Sequence, residues 1–541
     1  MPPLTWRIAL VSLILLGSCT AASPPLTQNK VGADHLSAAR FEEDMTFLAS
    51  DALEGRKAGT RGYQKAAAYV AASFEDMGLT PAGDDNSYFQ EVPLGRNISI
   101  LQKSSFHIHG QDPFFVQRDF VPLPSPTEEE ITATGDLVYM GGGIDAPQFG
   151  YTAYQDIDVQ GKIVVITDEV LKDMPPEEAA HLRNKRTKYD TAARHGAVGV
   201  VTLSASHLPK IFSPLPDEED LKPLNNIVLH PEGHYQTIDA AVRLTADGTE
   251  KLLKATNLDW ESVWAGVATP QPLGITATLT TATKFETYRS PNVIGMVEGS
   301  DPVLKHEYVV LSAHLDHIGM KETPSRHQDL IYNGAIDNAT GVATLMEAAR
   351  KLMDAPKRPR RSVIFIALTA EEIGLLGSEY FAFTPSITRG EIVANVNLDM
   401  PILLYEFTDV IAFGMDHSNL GAIVEEATSN MGITLTPDPV PHMSLFVRSD
   451  HYSFVKAGIP SVFLFLGWEN GGEDVFNNFL NTHYHKPSDE TDLPLNYAAA
   501  ARFSALNYHI VYAIANSVER PQWKETSFFS QPLVKPNPAD P

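Results

Sequence analysis

Residues 308–317 read Tyr308-Val309-Val310-Leu311-Ser312-Ala313-His314-Leu315-Asp316-His317, an apolar run that ends abruptly in ionisable groups. A run with no polar face is a strand buried on both sides, so its ionisable end lies where the chain leaves the core. The pattern recurs. Val363-Ile364-Phe365-Ile366-Ala367 runs into Glu371-Glu372, Val393 to Leu398 runs into Asp399, and Val410 to Phe413 and Val462 to Leu466 are further runs of the kind. Such strands, separated by helical stretches, predict an α/β domain whose central, largely parallel sheet is covered by helices on both faces.

Outward from this domain the pattern changes. A polar stretch from about Ala21 to Ala33 precedes two predicted helices, Leu36 to Ala49 and Gly62 to Met77, the second closed by Gly78 as a C-cap. From about Thr132 short β runs dominate, among them Gly135 to Tyr139 and Lys162 to Ile166. A helix is predicted from about Glu177 to His195, a strand from Ala197 to Leu203, and another helix near His234 to Leu253. The expected organisation is 1–18 as an export signal, 19–33 as a tether, 34–125 as the first part of the α/β domain, 126–270 as an inserted β-rich domain, 271–516 as the rest of the α/β domain, and 517–541 as a polar tail.

The composition, 43% hydrophobic and 20% charged over 541 residues, is that of a soluble globular protein. Acids outnumber bases 67 to 41, and a net charge of −26 argues against affinity for nucleic acid or anionic lipid, which would need a basic face. The single cysteine excludes an internal disulfide and a thiolate metal site, so any metal must be held by His and carboxylates. That residue, Cys19, follows Arg7, the apolar run Ile8 to Leu16, and Gly17-Ser18, the anatomy of an export signal too short to span a bilayer. The string Leu16-Gly17-Ser18-Cys19 resembles a bacterial lipobox, which implies lipidation of Cys19 and an anchor on the periplasmic side of the outer membrane. An ordinary cleaved signal, giving a secreted protein, is the alternative.

The candidate chemistry lies at the strand ends. His314 and Asp316 are two apart on an extended chain and share a face, so Asp316 could orient His314 toward a metal, although His-x-Asp alone reads better as a structural histidine. Asn333-Gly334-Ala335-Ile336-Asp337-Asn338 leads into a helix, where Asp337 could equally be an N-cap. The adjacent carboxylates Glu371 and Glu372 repel unless a cation or proton separates them. Asp399 ends the next strand, and His483-Tyr484-His485 follows the last. Together these acids and imidazoles suit zinc or a related divalent ion.

The order His314-x-Asp316, Gly334-Ala335-Ile336-Asp337-Asn338-x-x-Gly341, Glu371-Glu372, Asn397-x-Asp399, Arg448-Ser449-Asp450-His451 and Tyr484-His485-x-Pro487-x-Asp489 resembles the co-catalytic dizinc exopeptidase family, of bacterial leucine aminopeptidase and plasma glutamate carboxypeptidase type. Leu53-Glu54-Gly55-Arg56 with its Ala-rich helix resembles the opening of that family's catalytic domain. The β-rich middle is similar to an inserted protease-associated domain, through the less specific Gly161-Lys162-Ile163-Val164-Val165 and Gly196 to Val200. The resemblance implies a zinc-exopeptidase fold and two Zn2+ per chain. Asp337 would bridge the ions, His314 and Asp399 would complete one site, and Glu372 and His485 the other. Glu371 would be the general base and Asp316 would support His314; a cis peptide after Asp337 is also implied. Phe446-Val447 stands where many members have a tyrosine that supports the developing oxyanion, which leaves that role unassigned.

The resemblance implies peptide substrates with a free N-terminus, hydrolysed by an aminopeptidase. A dizinc carboxypeptidase or dipeptidase is the first alternative, with Arg448 as a cation for a C-terminal carboxylate. An inactive surface binding protein is a remote one, because the implied ligands and base are all present. His317 and His451 match no ligand role and are expected to be hydrogen-bonded scaffold, while His483 could touch substrate. Lys357 to Arg361, Glu177-Glu178 and Asp217 to Asp220 read as solvated surface.

Overall fold

The computed structural model describes residues 30–533 apart from 168–173, 205–223, 230–237, 257, 322–328, 388 and 532. The export signal with Cys19, most of the tether and the acidic run 217–220 therefore lie outside the described residues. No helix among the described residues is long and apolar enough to cross a membrane.

The fold is mixed α/β. Its sheet runs in the order Thr434–Thr436, Asp409–Phe413, Ser461–Leu466, Glu391–Leu398, Glu307–His314, Ser362–Leu368 and then Gln271–Val297. Glu307–His314 sits between Ser362–Leu368 and Glu391–Leu398 and is parallel to both. Ser461–Leu466 extends the parallel set, while Asp409–Phe413 and residues 293–297 pair antiparallel at its two sides. The expected buried runs are all present as strands, and Val309, Val310, Ile364, Ile366, Val396 and Leu398 are fully buried. Helices Arg61–Met77, Thr340–Met353 and Tyr497–Asn516 pack on one face. Thr340–Met353 is buried almost all round, and Val342, Leu345 and Met346 each contribute roughly 1.5–3 kcal/mol by leaving water. Gly78 ends Arg61–Met77 as expected, with φ of 77° and its N–H donating to the carbonyls of Phe74 and Glu75.

The strand Gln271–Val297 ties the sheet to a smaller lobe, pairing among the described residues with five other strands along its length. The smaller lobe's strands include Glu130–Tyr139, Ile163–Ile166, Gly199–Thr202, Ala241–Leu244 and Phe120–Pro122. Ser105–Ile108 and Phe120–Pro122 belong here too, because Phe106, Phe114 and Phe120 share one core with Val165, Val201 and Leu279. Ser105–Ile108 thus lies some twenty residues before position 126, and the strand that runs from the smaller lobe into the main sheet starts at Gln271.

Other expectations need correction. The helix expected at 177–195 is two helices, Pro176–Arg183 and Lys185–Arg194, broken at Asn184, whose extended backbone lets its side chain accept the N–H of Arg186. Of the helix expected near 234–253, residues 234–237 lie outside the described residues, and the rest forms the strand Ala241–Leu244 and the helix Ala246–Ala255, separated by the N-cap Thr245. The described part of the polar tail packs down. Phe529 is fully buried and the indole N–H of Trp523 donates to the Gly458 carbonyl. Arg361, read as solvated, is buried against Glu307 at 2.7 Å, whereas Lys357 and Arg358 are exposed. Glu178 is buried, and Glu177 meets His417 of the main lobe at 2.8 Å.

Candidate metal centre

Strand register brings the chemistry to one line. Ala313 pairs with Leu398 and His314 with Leu368, so His314, Asp399 and the Glu371-Glu372 pair leave the sheet side by side at its carboxyl ends. This is where open α/β sheets place ligands. Three positions at these turns have a left-handed backbone without being glycine: Ala370 (φ 58°) before Glu371, Met400 (φ 47°) after Asp399, and His485 itself (φ 55°). Such backbone costs of order 1–3 kcal/mol per residue and concentrates where side chains must be aimed.

Asp337 is at the centre. Gly334 (φ 59°) opens the turn that carries it, and a Cβ there would come within 2.1 Å of the Asp337 carbonyl and 2.6 Å of the His317 ring. The Asp337-Asn338 peptide is cis. The Asn338 side chain donates to the Leu398 carbonyl and accepts from the Met400 N–H, bracketing Asp399. The Ile336 and Asp337 N–H groups donate to the Asp489 carboxylate at 2.9 and 3.0 Å.

The two carboxylate oxygens of Asp337 face different partners. Oδ1 lies 3.2 Å from His314 Nε2, which is 3.0 Å from Asp399 Oδ1. Oδ2 lies 3.3 Å from His485 Nε2, which is 3.3 Å from Glu372 Oε2. Donor atoms about 2.0–2.1 Å from a tetrahedral zinc stand about 3.3 Å apart, so both sets fit that ion in donor type and spacing. The five residues implied as ligands are thus brought together, and Asp337 faces both sets.

One placement differs from the expectation. The Asp316 carboxylate does not touch His314. It accepts the Glu371 N–H at 3.1 Å, and the Asp316 carbonyl is what contacts His314 Nδ1, also at 3.1 Å. Asp316 therefore orients His314 by backbone and the Glu371 turn by side chain. His317 is hydrogen-bonded, as expected of scaffold, but its partner is Glu372, at 2.6 Å from Nδ1. His451 Nε2 meets the Phe446 carbonyl deep in the core, and His483 is held to Ser488 at the rim.

The cluster is strongly acidic. Burial raises Asp316 and Asp450 to about 7 and Asp489 to about 6. Glu371 is also pushed well up, first by burial and then by Asp399, Asp450 and Glu372, against the opposing pull of His314. Burial opposes charge on His485 as well, yet its hydrogen bonds with Asp337 and Glu372 prevail and raise it from 6.5 to about 10. So many carboxylates in one place call for positive charge, which divalent ions would supply.

Two cavities open on these groups. One, of about 160 Å³, is lined by His314, Asp337, Glu371, Asp399 and His485 of the site together with Met400, Met443, Leu445, Phe463, Phe465, Phe476 and Leu480. The other, of about 410 Å³, is shared between lobes: Asn184 and Arg186 line it with Glu371, Glu372, Arg448, Tyr484 and His485. Arg186 is fixed there by Glu379 at 2.9 Å, and His181 contacts the Tyr452 hydroxyl. Nothing in the residues 176–194 pointed to this contribution, because it depends on how the lobes meet.

Residues 292–511 match the model of Peptidase family M28. Aminopeptidase NAALADL1 of Mus musculus is 32% identical over 136 residues, 24% of this chain and 16% of that protein. Aminopeptidase YwaD of Bacillus subtilis (strain 168) is 27% identical over 216 residues, 38% of this chain and 41% of that protein. The matches thus span less than half the length of these relatives. Among solved structures, an aminopeptidase from Aneurinibacillus sp. strain AM-1 aligns over 88% of this chain and 95% of its own, at 19% identity and a TM-score of 0.45.

Proposed function

We propose that the protein is a zinc-dependent aminopeptidase that removes an N-terminal residue with a bulky apolar side chain. The observation that carries this reading is Asp337 presenting one oxygen to each of two imidazole-carboxylate sets, at the mouth of a cavity walled by Phe463, Phe465, Phe476 and Leu480. His314 and Asp399 would hold one ion, Glu372 and His485 the other, with Asp337 shared. When bound, the ions supply Lewis acidity and make water at the site easier to deprotonate. Glu371 takes the proton of the attacking water and delivers it to the leaving amine. The apolar cavity seats the first side chain and excludes water around it, and the surrounding carboxylates hold the free α-amine. Tyr484, stacked on His485 and kept protonated by burial and by Asp337 and Asp399, is the donor proposed for the developing oxyanion in place of the missing tyrosine.

A dizinc carboxypeptidase or dipeptidase is the second reading, favoured by Arg448 and Arg186 in the cavity between lobes, where a substrate carboxylate could sit. The deciding experiment is a panel of aminoacyl-p-nitroanilides and N-blocked dipeptides, with and without chelator and added zinc. Cleavage of the anilides, lost to chelator and restored by zinc, is expected; turnover of the blocked dipeptides alone would establish the second reading instead.

The smaller lobe is proposed to be a protease-associated domain. Lipidation of Cys19, with the protein on the periplasmic side of the outer membrane, is proposed from the lipobox-like string 16–19 and is tested by mass spectrometry of the membrane fraction. An unmodified Cys19 in a released mature chain would exclude the anchor.

A further inference from the structure

His317 has the environment of a working residue. Its ring is fully buried, Nδ1 lies 2.6 Å from Glu372 Oε1, and Nε2 is buried with no hydrogen-bond partner. The ring is wedged against Gly334, where even a Cβ would come within 2.6 Å of it, and the His317 N–H donates to the Arg56 carbonyl. A buried imidazole with one nitrogen unpaired is costly, and its single polar contact is to a proposed zinc ligand.

The distances separate two possible roles. The donor pairs of the proposed centre stand 3.0–3.3 Å apart, as ligands around a common ion do. His317, Asp337 and Glu372 are close enough together to hold an ion, but His317 Nδ1 is 2.6 Å from Glu372 Oε1 and 3.9 Å from Asp337 Oδ2, the spacing of a hydrogen bond to one carboxylate, whereas His485 Nε2 is 3.3 Å from both. The Glu372 oxygen can only accept, so Nδ1 carries the proton. The other oxygen, Oε2, is the one facing His485.

We propose that His317 is a positioning residue: its Nδ1–H captures Glu372 Oε1, leaves Oε2 as the single donor to the second ion, and so sets that ion's affinity. This rests on the two-metal reading above. Partners of this type, when removed, typically weaken metal binding about 10–100-fold.

The test is zinc titration by calorimetry with chelator competition on the full chain and three variants. His317→Asn places an N–H near the position of Nδ1, His317→Gln places one nearer Nε2, and His317→Ala has none. The expected result is a second-ion affinity within about threefold of wild type for Asn, a loss of about 10–100-fold for Gln and Ala, and first-ion affinity unchanged throughout. If Ala does not fold, the Asn and Gln pair carries the comparison. Equal loss in Asn and Gln would mean the imidazole itself is required, and unchanged binding in Gln would mean the hydrogen bond is idle; either overturns the proposal. Wild-type protein saturating at one ion would instead overturn the two-metal reading.

Discussion

The Asp489 carboxylate accepts the backbone N–H of Asp337 at 3.0 Å, so the residue proposed to bridge the ions is held by its main chain as well as by whatever its side chain binds. The neighbouring Ile336 N–H shares the same carboxylate. Asp489 follows His485 in one loop, and a single short segment therefore supplies a donor and fixes the turn that carries another. Asp489→Ala would leave two buried N–H groups without acceptors. At about 1–3 kcal/mol for each, the variant is expected to lose about 2–6 kcal/mol of stability in denaturant unfolding. A loss below about 0.5 kcal/mol would show that the turn does not need this anchor.

Glu371→Gln separates chemistry from metal binding. Glu371 lines both cavities but is outside the two proposed donor sets, and its carboxylate is the one proposed to carry a proton. The variant is expected to keep full zinc stoichiometry by elemental analysis and to lose turnover about 10²–10⁴-fold. Near wild-type turnover would remove Glu371 from the mechanism.

Arg56 shows how the two halves of the main lobe meet at the site. Its buried guanidinium donates to the carbonyls of Leu48, Leu315, Asn333 and Gly334, tying the N-terminal helix to both loops that carry His314 and Asp337. Burial lowers its pKa to about 10, against the pull of Asp489 and Asp337. Lysine cannot reproduce a planar fork aimed at several acceptors. Arg56→Lys is therefore expected to destabilise the protein by about 3 kcal/mol and to weaken zinc binding, both read from chelator-dependent melting. An unchanged melting curve would contradict this.

The parts of the fold that were legible from sequence are those whose cause is local. A strand buried on both faces must be apolar throughout, so Tyr308 to Ser312 and Val363 to Ala367 announce themselves. Strand ends carrying Asp399 or Glu371-Glu372 were legible for the same reason. What depends on distant contacts was not. The strand Gln271–Val297 is defined by its pairing partners rather than by its own pattern, and Phe106 and Phe120 join the smaller lobe because Leu279 and Val165 wait there. Arg361 looked solvated because its partner Glu307 is 54 positions away. His317 was expected to be hydrogen-bonded, but its partner Glu372 is 55 positions away and could not be named in advance.

Filling the apolar cavity should change selectivity before it changes chemistry. Leu480 lines the wall among Phe465, Phe476 and Met443, in a cavity of about 160 Å³. Leu480→Trp is expected to raise KM for leucine and phenylalanine anilides by about tenfold while sparing the alanine substrate, since steric differences in such pockets are worth about 1–3 kcal/mol. Uniform loss across the series would place the specificity pocket elsewhere.

Protein stripped of metal by chelator should have a stability that depends on pH through its site imidazoles. In the folded chain His485 has its pKa raised from 6.5 to about 10, because hydrogen bonds with Asp337 and Glu372 outweigh its burial. His314 shifts in the same direction, burial being overcome by Asp399, Glu371 and Asp337. A folded value above the unfolded one means that the protonated form stabilises the fold. That contribution is complete below about pH 6.5, declines above it and is gone once pH has risen through about 10. Stripped protein should therefore lose melting temperature steadily across this window, whereas zinc-loaded protein, whose imidazoles are held by the ions, should lose much less. Zinc binding must displace these protons, so calorimetry in buffers of different ionisation enthalpy should register proton release at neutral pH. Parallel melting curves for the two forms, with no buffer dependence, would mean that these imidazoles are not the groups the metal occupies.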